Sequence, residues 1–148
     1  MKILVDADAC PVKSIIEKVA RSLHIRVLMV IDTSHILESE YSEVIQVSKA
    51  PDAVDIALIN RTEAGDIVVT QDYGVASMAL GKKAFAINQN GKCYTEENID
   101  LMMFERHLAA KQRRAGARTT TMKKRSKEDD LHFETAFSGL CSQALLKN

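Results

Sequence analysis

The chain has 148 residues, and its 20 basic and 20 acidic side chains balance to a formal net charge of zero. This length predicts a single domain, residues 1–148, because domains are typically about 100–150 residues long. No apolar run reaches the roughly 18–20 residues that a membrane-spanning helix needs, so we expect no such helix and no membrane partner. The three cysteines have no metal-type spacing, and their small, odd number excludes a disulfide framework and predicts a cytoplasmic location.

The two parts of the chain differ in charge. Residues 1–104 hold 10 basic and 15 acidic side chains, whereas residues 105–148 hold 10 basic and 5 acidic ones. Such a difference points to a polyanionic partner, although a solvated helix face followed by a loop would also explain it. The basic segment 116–127 has no hydrophobic period and is a candidate flexible segment before a C-terminal helix.

Short apolar runs alternate with helical patterns along the chain. The runs predict strands at residues 2–5, 25–31, 44–47, 67–70 and 84–87. Apolar residues at helical spacing predict helices from near Pro11, over 52–61, up to Gly81, over 96–114 and over 128–146. Continuous apolar strands separated by helices indicate a mainly parallel sheet covered on both faces. The expected fold class is therefore a three-layer α/β/α architecture.

Aspartates follow two of the predicted strands. Asp6 and Asp8 stand at the end of the first strand, and Thr70 and Asp72 stand at the end of the strand 67–70. Ligands of open parallel sheets bind outside the carboxyl ends of the strands. Because these ends share one edge of the sheet, we expect the two groups to converge on one site.

Other polar residues are expected at the same edge. Asp52 and Asp55 are three residues apart and share one face of their helix, so they can complete an acidic cluster. Ser34 and His35 follow the second strand and could line this edge too, whereas Asp66 precedes its strand and is predicted to be a turn residue. Carboxylates held together repel one another, and Mg²⁺ or Mn²⁺ would neutralise them through oxygen ligands.

Purely structural roles would account for the same residues. Asp6 and Asp8 could form a turn or cap the first helix, and Asp72 could cap the helix that follows it. Asp52 could be a first-turn residue favoured by the helix dipole, and Thr70 a buried strand residue. Aspartates at the ends of two strands together favour a functional site more strongly than any one of them does alone.

Three motifs resemble the bacterial YaiI/YqxD family: residues 5–11 (VDADACP), 52–55 (DAVD) and 63–72 (EAGDIVVTQD). The resemblance continues through Asn90-Gly91, Tyr94-Thr95, Arg106 and Gly116, and so covers nearly the whole chain. One departure is that the family usually shows a Thr-Gly-Pro-like segment after this glycine, where this chain has Thr-Thr-Thr-Met at 119–122.

The YaiI/YqxD family is similar to PIN-like and NYN nucleases, which gather acidic residues around Mg²⁺ or Mn²⁺ to cut RNA. The resemblance implies a single PIN-like domain whose metal-site residues are Asp6, Asp8, Asp52 or Asp55, and Asp72, with Thr70 in support. Ser34 is a second supporting candidate, because it follows the second strand. We expect a metal-dependent ribonuclease, with RNA as its partner. The catalytic residues would be Asp6, Asp8, Asp55 and Asp72, and the phosphate contacts would come from Arg106, Arg113, Arg114 and Arg118.

Two alternatives stay open at this point. A haloacid-dehalogenase-like phosphatase would use Asp6-Ala7-Asp8 as its Asp-x-Asp pair, but Cys10 stands at the position of the usual threonine. No phosphate-binding lysine follows a later strand end either. A non-catalytic RNA-binding module would keep the fold without turnover, and its RNA binding would depend on salt but not on metal.

Overall fold

The structure is a computed structural model and describes residues 1–116 and 124–147. In chain order its elements are β1 (Lys2–Asp6), α1 (Lys13–Leu23), β2 (Arg26–Asp32), β3 (Glu43–Val47), α2 (Ala53–Arg61), β4 (Ile67–Val69), α3 (Tyr73–Gly81), β5 (Phe85–Ile87), β6 (Cys93–Tyr94), α4 (Ile99–Arg114) and α5 (Lys127–Lys147). All the predicted strands and helices are present, with small differences at their ends. None of the helices described is long and apolar enough to cross a membrane.

Local hydrogen bonds explain why one helix begins later than the sequence predicts. Helix α4 begins at Ile99 rather than near residue 96. Asn98 Oδ1 accepts the backbone N–H of Thr95 at 2.8 Å, and Thr95 Oγ1 accepts the backbone N–H of Asn98 at 3.1 Å. This reciprocal pair closes a turn before the helix. The sequence patterns did not predict β6, because two residues are too few to show an alternating pattern.

The six strands form one sheet in the order β3-β2-β1-β4-β5-β6, in which only β6 runs antiparallel to its neighbour. From β1 the chain moves outward to β2 and β3, then returns to place β4 on the other side of β1. The strand order therefore reverses between β1 and β4. Ligands of open α/β sheets bind at such a reversal, outside the carboxyl ends of the strands.

Helices cover both faces of the sheet, which confirms the three-layer α/β/α fold. Helices α1 and α5 pack together on one face, where Ile3 and Val5 of β1 share a core with the fully buried Phe133 and Phe137 of α5. Leu4, between the two β1 residues, belongs to a second core that includes residues of α2, α3 and α4. Successive strand residues point to opposite faces, so β1 contributes to both cores.

Asp66 lies at the amino edge of the sheet, opposite the strand ends that carry the other aspartates. It precedes β4, is only 2% exposed, and its Oδ2 lies 2.7 Å from the Lys2 ammonium. The same carboxylate accepts the backbone N–H groups of Lys2 at 3.0 Å and of Glu63 at 2.8 Å. Asp66 therefore closes the turn before β4 and holds the start of β1.

Candidate functional site

One hydroxyl joins the ends of β1 and β4. The parallel register pairs Val5 with Val69, so the next residues, Asp6 and Thr70, lie side by side. Thr70 Oγ1 donates to Asp6 Oδ2 at 3.1 Å and accepts the backbone N–H of Asp72 at 3.0 Å. Thr70 is only 3% exposed. The two strand ends predicted to converge are thus connected through a buried side chain.

Asp72 is the N-cap of α3, as the structural alternative predicted. Its Oδ1 accepts the backbone N–H groups of Gly74 at 2.8 Å and of Val75 at 3.1 Å. A Cβ at Gly74 would lie 3.1 Å from this oxygen, so glycine leaves room for the cap. Capping occupies Oδ1 and orients the carboxylate at the end of β4, which leaves Oδ2 for a ligand.

Helix α2 brings Asp55 to the same cluster. Burial, followed by the charges of Asp72, Asp6 and Asp52, raises the pKa of Asp55 to about 6. Asp52 precedes α2 in a left-handed conformation, with φ 65°, and its exposed side chain makes no capping hydrogen bond. Asp55 therefore belongs to the same electrostatic group as the strand-end aspartates, and the charge of Asp52 has the smallest effect on it.

Asp6 shows the same electrostatic crowding. Burial raises the pKa of Asp6, and the charges of Asp8 and Asp72 raise it further, while the hydrogen bond from Thr70 acts in the opposite direction. A carboxylate in such surroundings costs free energy in its charged form unless a positive charge compensates it. A cation bound near these carboxylates would offset this cost.

Asp8 lies near Asp6 and reaches toward the end of β2. Its Oδ1 accepts the backbone N–H of Asp32 at 3.4 Å and lies 3.1 Å from His35 Nδ1, which is also 3.2 Å from Asp32 Oδ1. One donor atom from each of Asp8, Asp32 and His35 lies within 4.8 Å of the others, an arrangement that could hold a metal ion. Ser34 donates its backbone N–H and its hydroxyl to Asp32, so it supports that residue rather than Asp6.

Asp32 is a site residue that sequence reasoning missed. Hydrogen bonds from Ser34 and His35 hold its pKa below the usual range, so it is ionised at neutral pH. It ends β2, which lies beside β1, and the same rule that selected Asp6 applies to it. The signal was therefore present in the sequence as an aspartate at a third strand end.

A pocket of about 110 Å³ opens beside the carboxylates. It is lined by Asp6, Asp8, Ala9, Cys10, Val69, Thr70, Gln71 and Gln89. The side-chain amides of Gln71 and Gln89 hydrogen-bond to each other. Burial raises the pKa of the Cys10 thiol, so this pocket residue is a neutral thiol at neutral pH. The pocket therefore combines an acidic wall with uncharged polar and apolar surfaces.

One of the predicted phosphate-binding arginines lies close to the cluster. The Arg106 guanidinium lies 5.3 Å from the ring centre of Tyr73, the residue directly after Asp72. Arg113 and Arg114 are exposed in the last turn of α4. Arg118 lies outside the described residues, as does most of the basic segment 116–127.

Arg125 is a second guanidinium near the pocket, and sequence reasoning did not select it. It donates to the backbone oxygen of Gln89 at 2.8 Å and to Asn90 Oδ1 at 3.3 Å, and it pairs with Asp130 at 2.7 Å. Its charge also acts on Cys10, which places it near the pocket wall. No spacing in the sequence indicates this position, because it depends on how α5 packs against the rest of the chain.

Comparisons with known proteins confirm the family that the sequence motifs indicate. A family model described as "Uncharacterized BCR, YaiI/YqxD family" matches residues 4–143. A "UPF0178 protein" of Lachnoclostridium phytofermentans is 59% identical over 143 residues, which cover 95% of this chain and 96% of that protein. One from Ruminiclostridium cellulolyticum is 63% identical over 136 residues, with coverages of 92% and 89%. No solved structure gives a match.

Proposed function

The chain belongs to the YaiI/YqxD family, and we propose that it is a metal-dependent ribonuclease that hydrolyses RNA phosphodiester bonds at its aspartate cluster. The observation that carries this proposal is the hydrogen-bonded series Asp6–Thr70–Asp72 across the reversal of strand order. Asp55 belongs to the same electrostatic group, since the charges of the two strand-end aspartates raise its pKa.

The donor set fits a hard divalent cation. The aspartates offer carboxylate oxygens as metal ligands, and Mg²⁺ and Mn²⁺ prefer oxygen ligands of this kind. Within residues 1–116 and 124–147, hydrogen bonds engage Oδ2 of Asp6 and Oδ1 of Asp72, which leaves one oxygen of each for an ion. Asp6 and Asp72 would hold the ion, with Asp52 and Asp55 beside them, and Asp8 would contribute from the neighbouring group that it forms with Asp32 and His35.

The remaining chemistry belongs to side chains around the cluster. A bound divalent cation supplies positive charge that offsets the phosphate and lowers the pKa of an attacking water. Asp55 belongs to the same electrostatic group, and its carboxylate would accept a proton from the attacking water. Thr70 holds Asp6 and the backbone of Asp72 in place, and so keeps the acidic group together.

RNA would be held by positive charges around the cluster. Arg106 lies against Tyr73 next to Asp72, and Arg125 borders the pocket on the side of Gln89. Arg113 follows Arg106 by seven residues, which places both on the same side of α4. These guanidinium groups can contact phosphates on either side of the scissile bond, while the acidic cluster itself repels RNA in the absence of a cation.

The test is cleavage of an end-labelled single-stranded RNA with Mn²⁺, with Mg²⁺ and with a chelator. We expect the wild type to cleave only with metal, and Asp6→Asn and Asp55→Asn to be slower by about 100-fold or more. Asp100→Asn is the matched control, because this carboxylate lies in the first turn of α4 and is exposed. Its rate should equal that of the wild type.

Two results would contradict the proposal. Equal cleavage by the wild type and both site variants would identify a contaminating nuclease. RNA binding that weakens with salt, is indifferent to metal and occurs without cleavage would indicate a non-catalytic RNA-binding module instead.

A further inference from the structure

Helix α4 carries an apolar stripe on its outer side. Leu101, Phe104 and Leu108 are 59%, 60% and 43% exposed, and their spacing places them on one face of the helix. The opposite face carries the buried Ile99 and Met102, which join the core that includes α3. Three large apolar side chains in a row outside the core indicate an interaction surface rather than a solvated helix face.

Charges of opposite sign stand at the two ends of this stripe. Glu97 lies in the turn before α4, four residues before Leu101, and Lys111 follows Leu108 by three residues. Both side chains are exposed. The spacing of Lys111 places it on the face of the stripe, and Glu97 stands in the turn that leads into this end of the helix. Along the helix the surface is acidic, then apolar, then basic. It is therefore complementary to the same surface of a second copy that runs in the opposite direction.

We propose that this stripe is the interface for a second copy of the chain, docked antiparallel about a two-fold axis near Phe104. In this arrangement Leu101 faces Leu108 of the second copy, and Glu97 comes within reach of Lys111 of the second copy. A parallel arrangement would place each of these charges beside its own counterpart, which costs free energy. Charge complementarity thus selects an isologous, antiparallel dimer.

The interface leaves the acidic site free. Arg106 follows Phe104 by two residues, which turns it about 200° around the helix, and it contacts Tyr73 on the inner side. The stripe and the groups proposed to hold RNA are therefore on different sides of α4. The dimer does not depend on the proposed activity, and its test needs neither metal nor RNA.

Sedimentation equilibrium of the full chain over a range of concentrations tests the proposal. We expect a species of twice the 16.4 kDa chain mass, and we expect Phe104→Asp to weaken dimerisation by at least about tenfold. Leu146→Asp is the matched control, because this α5 side chain is 88% exposed and lies outside the stripe. It should dimerise like the wild type, and circular dichroism checks that both variants fold.

Exchange of the two charges tests the antiparallel pairing. Glu97→Lys and Lys111→Glu should each weaken the dimer on the order of tenfold, because each puts like charges together twice in the symmetric interface. The double variant Glu97→Lys/Lys111→Glu should recover the wild-type dissociation constant. A wild type that stays monomeric, a dimer unaffected by Phe104→Asp, or a double variant that does not recover would overturn the proposal.

Discussion

Thr70 donates its hydroxyl hydrogen to Asp6 Oδ2 over 3.1 Å, and this bond joins the carboxyl ends of β1 and β4 although the two residues are 64 positions apart. The bond favours the charged carboxylate, so it opposes the pKa rise that burial imposes on Asp6. Thr70 therefore favours the ionised form of this carboxylate, which is the form that binds a cation.

Removal of the Thr70 hydroxyl should affect both stability and the ionisation of Asp6. In Thr70→Val the pKa of Asp6 should rise further, and the Asp72 backbone N–H should lose its acceptor. We expect the free energy of unfolding to fall by about 1–3 kcal/mol, as measured by urea denaturation. Thr70→Ser keeps the hydroxyl and should retain the Asp6 pKa, which a carboxyl NMR titration measures. An unchanged Asp6 titration in Thr70→Val would contradict this role.

The raised pKa of Asp55 predicts a pH-dependent stability in the absence of metal. Its pKa in the folded chain is about 6, against an ordinary value of 3.8, so the folded state holds this proton more tightly than the unfolded state. The resulting stabilisation is complete below the ordinary pKa and is lost as the pH rises through about 6. Urea unfolding of the wild type over this window should show the decline.

Asp55→Asn provides the comparison, because it removes the titrating group. Its free energy of unfolding should decline less over the same pH window than that of the wild type. Asp100→Asn, which changes an exposed carboxylate on α4, should keep the wild-type pH dependence. Parallel curves for the wild type and Asp55→Asn would show that this carboxyl does not titrate near 6.

Two substitutions of Asp72 separate its capping role from its proposed role as a metal ligand. Asparagine accepts the same backbone hydrogen bonds, so Asp72→Asn should keep nearly the wild-type stability, whereas Asp72→Ala should lose about 1 kcal/mol. Both variants remove a negative charge and should reduce the stabilisation that Mn²⁺ gives in thermal unfolding. If Asp72→Asn kept the full Mn²⁺ effect, Asp72 would be a cap only.

Asp66 should matter for stability but not for metal binding. Asp66→Asn would remove the nearer charged partner of the Lys2 ammonium, whose side chain is 14% exposed, and leave the exposed Glu63 at 3.6 Å. We expect the free energy of unfolding to fall by about 1.5–3 kcal/mol, the range for a hydrogen bond to a charged group. Glu134→Gln breaks the exposed pair with Lys18 and should cost less than about 1 kcal/mol.

Mn²⁺ titration completes the Asp66 experiment. Because this residue lies at the amino edge of the sheet, Asp66→Asn should bind Mn²⁺ as the wild type does under conditions where it remains folded. A lost Mn²⁺ response in the folded variant would show that the two edges of the sheet are coupled.

The sequence by itself determined the helices, the first five strands and the edge of the sheet on which the aspartates lie. Continuous apolar strands between helices require a parallel sheet, and parallel strands end on the same side in whatever order they pair. Asp6, Thr70 and Asp72 could therefore be assigned to one edge before the strand order was known.

Only the tertiary structure decided which of these residues touch. Because β1 lies between β2 and β4, Asp8 meets Asp32 and His35 on one side while Asp6 meets Thr70 on the other. Arg125 approaches Gln89 only because α5 packs against the first face of the sheet. Strand order and helix docking depend on the packing free energy of the whole chain. A local sequence pattern does not determine this free energy, because many of the contacts join residues far apart in the sequence.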